Sequence, residues 1–94
     1  MYVISYDIEK DRIRNKIART LEDYGRRVQY SVFECRIEKK QFDKLYGKLA
    51  GLMTDEEEGN IRIYNICANC ETRIATIGIK KSPLSAEEED LFII

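Results

Sequence analysis

Ninety-four residues suffice for one domain around one core, but a chain this short buries only about 60 to 65% of its unfolded surface and gains from pairing with a second copy. The composition, 44% hydrophobic and 35% charged with one proline, is that of a globular protein, and no run approaches the roughly 18 apolar residues of a membrane span. There is no histidine, which excludes Ser-His and Cys-His nucleophile pairs and the commonest transition-metal ligand, so any hydrolysis must rest on carboxylate, metal, tyrosine or lysine.

Net charge is only -1, but it is unevenly spread. Residues 1–48 carry 12 Lys/Arg against 8 Asp/Glu, a balance of +4, and residues 49–94 carry 4 against 9, a balance of -5. The cationic surplus lies between Lys10 and Lys40, as expected of a one-sided basic surface facing a polyanion. Cys35, Cys67 and Cys70 make an odd count in a chain that shows no secretory leader, which points to reduced thiols and a cytoplasmic location.

In chain order, residues 2–8 are rich in β-branched and aromatic side chains and too short for a helix; they predict a first strand with Asp7 near its end. Asp11 can cap a helix in which Ile13, Ile17, Leu21 and Tyr24 recur every three to four residues, and Gly25 offers a left-handed stop. From Arg27 to Ile37 the alternation changes phase: Val28, Tyr30 and Val32 share one face, then Phe33, Cys35 and Ile37 the other. A bulge or a reversal near residues 31–33 is required, and a full reversal makes two antiparallel strands.

Phe42, Leu45, Tyr46, Leu49, Leu52 and Met53 mark a second helix, and the acidic stretch 55–60 reads as a solvated loop. Ile61, Ile63 and Asn65 alternate with Arg62, Tyr64 and Ile66 in another strand, and Arg73 to Ile79 is expected to form a further one. The order strand, helix, two strands, helix, strand predicts an α+β, ferredoxin-like β-α-β-β-α-β fold with an antiparallel sheet, plus a C-terminal strand or tail. Residues 1–80 form the expected domain, and residues 81–94, ending in Leu91-Phe92-Ile93-Ile94, a tail expected to pack on the partner chain. Helices cover one sheet face only, so the other is expected to pack on a second copy.

Asp7 is the residue most suggestive of chemistry, an acid in a strand otherwise built for burial. One reading makes it a ligand for Mg2+ or Mn2+, with the same residue of a two-fold-related chain supplying the second carboxylate. The other has it accept from nearby amides or pair with an arginine of the first helix. Arg12, Arg14, Lys16, Arg19, Arg26 and Arg27 are candidate phosphate contacts, against an ordinary solvated helix face paired with Glu22 and Asp23. Tyr2, Tyr6, Tyr30, Phe33 and Tyr64 are core or interface residues before they are base-stacking platforms. Cys67-Ala68-Asn69-Cys70 has the spacing of half a zinc site or a redox motif, but with one further cysteine and no histidine the expectation is thiols in a connecting turn.

With these residues in view, the chain resembles the CRISPR-associated Cas2 family over about residues 1 to 80. The resemblance rests on Tyr6-Asp7, on Arg12, Arg14 and Lys16, on residues 24–34 (Tyr-Gly-Arg-Arg-Val-Gln-Tyr-Ser-Val-Phe-Glu) and on Ile61-Arg62-Ile63-Tyr64, the run from Val28 to Glu34 being the most specific. It implies a ferredoxin-like homodimer with magnesium-dependent endonuclease activity on RNA or double-stranded DNA in some members. It also implies a complex with an integrase subunit that acquires spacers for antiviral defence. In the family the residue matching Asp7 binds metal at the dimer axis, Asp7 and Tyr6 are the expected catalytic residues, and those matching Tyr6, Arg14, Lys16, Arg27 and Phe33 are linked to activity or fold. Lys16 stands where some members carry arginine. Two other readings remain open: a scaffold that holds duplex DNA without cleaving it, and a toxin-like ribonuclease of related fold.

Overall fold

A computed structural model describes residues 1–54 and 59–78. Its elements are β1 (Tyr2–Asp7), α1 (Asp11–Glu22), β2 (Arg26–Gln29), β3 (Val32–Cys35), α2 (Lys39–Leu52), β4 (Asn60–Asn65) and a short α3 (Ala68–Glu71). The sheet is antiparallel throughout in the order β2-β3-β1-β4, the ferredoxin-like arrangement.

Alternation along β1 buries Tyr2, Ile4 and Tyr6 against the helices. Register carries that face across the sheet, Ile4 lying opposite both Phe33 of β3 and Ile63 of β4. Ile17, Ala18 and Leu21 of α1 and Leu45 and Leu49 of α2 close over it, with Phe33, Ile4, Ile17, Leu21 and Leu45 fully buried. Each such side chain contributes about 1.5–3 kcal/mol by leaving water. Tyr2 extends the core sideways by stacking on Phe42, ring centroids 4.0 Å apart.

The change of phase between Arg27 and Ile37 has two causes. Tyr30 and Ser31 reverse the chain between β2 and β3, and β2 bulges between Arg27 and Gln29, so Arg27 still faces Phe33 while Gln29 faces Val32.

Four expectations change. Asp11 is the first helical residue rather than the cap, Lys10 holding the cap position, and the Asp11 carboxylate pairs with Arg14 instead. Gly25 does not adopt a left-handed conformation; positive φ occurs only at Gly59 and Gly78 among the described residues. It is required because a Cβ there would lie 2.4 Å from the Glu34 carbonyl oxygen and 2.5 Å from the Cys35 sulfur. Arg73–Gly78, the described part of the strand expected over residues 73–79, is not a strand: after the turn at Thr72–Arg73 it pairs with no neighbour among the described residues, and Ile77 is fully exposed. A strand is stable only where a neighbour accepts its hydrogen bonds, and among the described residues this segment pairs with neither open edge of the sheet, β2 or β4. Cys67-Ala68-Asn69-Cys70 opens the helical turn α3 rather than an irregular connection. The loop at 55–58 and the tail 81–94 lie outside the described residues.

Candidate metal and nucleic-acid site

β1 sends consecutive side chains to opposite sides of the sheet. Val3, Ser5 and Asp7 emerge on the face without helices, and Asp7, the last residue of the strand, is exposed. The same face carries Val32 and Glu34 from β3 and Arg62 and Tyr64 from β4, which lie opposite Ser5 and Val3. Arg26 joins it at the outer edge, 3.7 Å from Glu34. Val3 and Val32 are half-buried and Tyr64 is exposed, so an apolar centre is rimmed by charge, the anatomy of a protein interface.

Asn60 is the cross-strand partner of Asp7. Gly59, with φ of 102°, lets β4 begin close to Asp7, since a Cβ there would meet the Asp7 carbonyl oxygen at 2.5 Å. Among the described residues the Asp7 carboxylate has no ion-pair or hydrogen-bond partner, and no group of three or more acidic or cysteine side chains converges as a metal cage. The helix-one arginine that would neutralise it, Arg14, pairs with Asp11. One hard, accessible carboxylate suits Mg2+ in ligand type but falls short in ligand number within a single chain.

Tyr6 lies on the other side of the sheet, 4% exposed. Its ring packs against Phe33 at a centroid distance of 6.4 Å, and its hydroxyl donates to the Tyr30 carbonyl at 3.4 Å. The Arg27 guanidinium sits over both Phe33 (5.2 Å) and Tyr30 (5.9 Å), with its buried Nε unpartnered among the described residues. Burial pushes the Tyr6 hydroxyl above its ordinary pKa, against the pull of the Arg27 and Arg14 cations.

Arg14 bridges the β1–α1 connection, donating to the carbonyls of Ile8 (3.0 Å) and Glu9 (3.2 Å) and to Asp11. Tyr6 and Phe33 are thus core residues on the opposite side of the sheet from Asp7, with Arg27 stacked over Phe33 and Arg14 holding the β1–α1 connection. Arg12, Lys16 and Arg19, spaced i, i+4, i+7, are all exposed and share one face of α1. Arg26 stands apart from them at the β2 edge.

Two features escaped the sequence reading. Arg62 and Tyr64 share a face with Asp7, which only the β1–β4 register reveals. Lys40, Lys44 and Lys48 recur every fourth residue along α2 and are exposed, and Lys48 reaches the Tyr24 ring at 5.1 Å; that periodicity was readable from the chain.

The fold and these residues define a class: ferredoxin-like α+β proteins with an acid at the end of the first strand, on an open sheet face, and a basic first helix. The family profile of CRISPR associated protein Cas2 matches residues 1–74, and the chain belongs to that family. It is 46% identical over 93 residues to the CRISPR-associated endoribonuclease Cas2 1 of Chloroflexus aurantiacus, covering 99% of this chain and 98% of the relative. Among solved structures it resembles Streptococcus pyogenes Cas2, with a TM-score of 0.70 and 30% identity over 82% of this chain and 98% of the other. It also resembles a chain of a partial Cas6-RT-Cas1–Cas2 complex, with a TM-score of 0.71 and 35% identity over 81% and 88% of the two chains. None of the described helices is long and apolar enough to cross a membrane.

Proposed function

We propose that two copies of this chain pair through their helix-free sheet faces to form a Mg2+- or Mn2+-dependent endonuclease acting on RNA or double-stranded DNA. The same dimer is proposed to hold spacer DNA with an integrase partner during CRISPR adaptation. The observation that carries this reading is the position of Asp7, exposed and without a partner among the described residues, on the face whose half-buried Val3 and Val32 ask for a cover. The names of the relatives, an endoribonuclease and a Cas1–Cas2 complex, support it.

In such a dimer the two Asp7 carboxylates would hold the cation. When bound, it supplies Lewis-acid stabilisation and lowers the pKa of water for attack on a phosphodiester. The exposed row Arg12, Lys16 and Arg19 contacts phosphates and brings the backbone to the site, a role that depends on charge rather than base sequence. Arg26 and Arg27, on opposite sides of the sheet at the β2 edge, are proposed as further phosphate contacts. Tyr6 and Phe33 act as positioning residues: they hold the Tyr30–Ser31 turn and the Arg27 guanidinium from behind the sheet. The tail 81–94 is proposed to pack on the partner chain, and the protein to work in the cytoplasm.

The test measures Mg2+-dependent cleavage of RNA and of duplex DNA by the wild type and Asp7→Ala, beside duplex binding across a salt series. Asp7→Ala is expected to abolish cleavage and leave binding within about twofold, because binding rests on lysine and arginine. Cleavage that persists in the variant refutes the assignment of Asp7. A wild type that binds duplex and cleaves neither polymer favours the scaffold reading alone.

A further inference from the structure

The cysteines at 67 and 70 have no part in that reading, and their placement carries an inference of its own. β4 ends at Asn65, and Ile66 extends its pairing by donating its amide to the Met1 carbonyl at 2.7 Å. Cys67 then occupies the cap position of α3, and its sulfur accepts the Cys70 amide at 3.3 Å. Residues three apart on one helical turn have Cα atoms about 5 Å apart, inside the range of about 4.4–6.8 Å that a disulfide spans. Both thiols are exposed, whereas Cys35 is fully buried.

The turn is anchored at both ends, by Ile66 on Met1 and by the Glu71 carboxylate on Arg36 at the end of β3. Beyond it the chain leaves the sheet, with Ile74 and Ile77 exposed. A helix of four residues has little stability of its own, so a covalent link across it changes how firmly the departing segment is held.

We propose that Cys67 and Cys70 form a reversible intramolecular disulfide that locks the turn at the root of the segment following β4. The oxidant is a small-molecule disulfide such as oxidised glutathione. The Cys67 thiolate attacks one of its sulfurs, forming a mixed disulfide and releasing one glutathione thiolate. Cys70 then gives up its proton, and its sulfur attacks the Cys67 sulfur and expels the second glutathione thiolate. The protein loses two electrons and two protons, and one disulfide is reduced to two thiols. The Cys70 amide stabilises the Cys67 thiolate and lowers that thiol's pKa, while the Cys70 thiol, facing Cys67, is raised, which sets the order of attack.

The test equilibrates the full chain in glutathione buffers from fully reduced to fully oxidised, then quenches, alkylates and maps the thiols by mass spectrometry. The expected product is a disulfide between Cys67 and Cys70 within one chain that dithiothreitol reopens, with Cys35 still a thiol. Cys70→Ala should accumulate glutathione on Cys67 faster than Cys67→Ala accumulates it on Cys70. Amide exchange at Glu71, Arg73 and Ile74 should slow by roughly tenfold in the oxidised chain. The proposal is overturned if both thiols remain alkylatable in the most oxidising buffer, if the disulfide joins two chains, if the two single variants react equally fast, or if oxidation leaves amide exchange unchanged.

Discussion

Tyr6 and Asp7 are adjacent in the chain, yet their side chains leave β1 on opposite sides of the sheet: Tyr6 is buried against Phe33 and the helices, and Asp7 is exposed on the face without helices. A Tyr-Asp pair that reads as one motif is therefore two devices. One holds the end of the core together, and the other presents a carboxylate to whatever covers the sheet.

The two should separate by substitution. Asp7→Ala removes an exposed side chain and is expected to shift unfolding stability by less than about 0.5 kcal/mol, while abolishing metal-dependent cleavage. Tyr6→Ala empties a core position and is expected to cost about 3–5 kcal/mol; Tyr6→Phe loses only the hydroxyl donated to Tyr30 and should cost about 1 kcal/mol. Urea unfolding beside a cleavage assay distinguishes them.

The cations of α1 divide in the same way. Glutamate substitutions at Arg12, Lys16 and Arg19 should weaken duplex binding at every sequence and leave folding intact. If each contacts one phosphate, replacing all three lowers the slope of log affinity against log salt by roughly 2.7 for duplex DNA. Arg14→Ala releases the Ile8 and Glu9 carbonyls and should cost about 1–2 kcal/mol of stability. Salt titrations of binding and thermal melts of the same variants check both halves.

The glycines make a contrasting pair. Gly25→Ala places a Cβ into the Glu34 carbonyl and the Cys35 sulfur and should destabilise by about 1–3 kcal/mol. Gly47→Ala, inside α2 with open space around the added Cβ, should stabilise by up to about 1 kcal/mol. Denaturation midpoints for the two variants should move in opposite directions.

Burial also leaves a pH signature. The Cys35 thiol is pushed up from 9.0 to about 11 by loss of solvent. Between those values the unfolded chain has released this proton and the folded chain keeps it, so stability is complete below pH 9 and falls as pH rises towards 11. Unfolding measured across that window should lose stability more steeply in the wild type than in Cys35→Ala, and equal slopes would refute this source of the pH dependence.

Much of this architecture is written in local pattern. The 3.6-residue period of Ile13, Ile17 and Leu21, the two-residue period of β1 and the change of phase after Val32 specify element types and order, and with them a ferredoxin-like sheet, because each pattern reflects one face being buried. The Tyr6-Asp7 pair, the basic helix and the run from Val28 to Glu34 likewise identified the family from sequence. Tertiary structure decided what depends on residues distant in the chain. The β1–β4 register set Arg62 and Tyr64 beside Asp7, the approach of β3 to Gly25 gave that glycine a steric rather than conformational reason, and the path of the chain after α3 left residues 73–78 unpaired with any described strand. Periodicity states which face a side chain takes, while only the closed chain states what stands across from it.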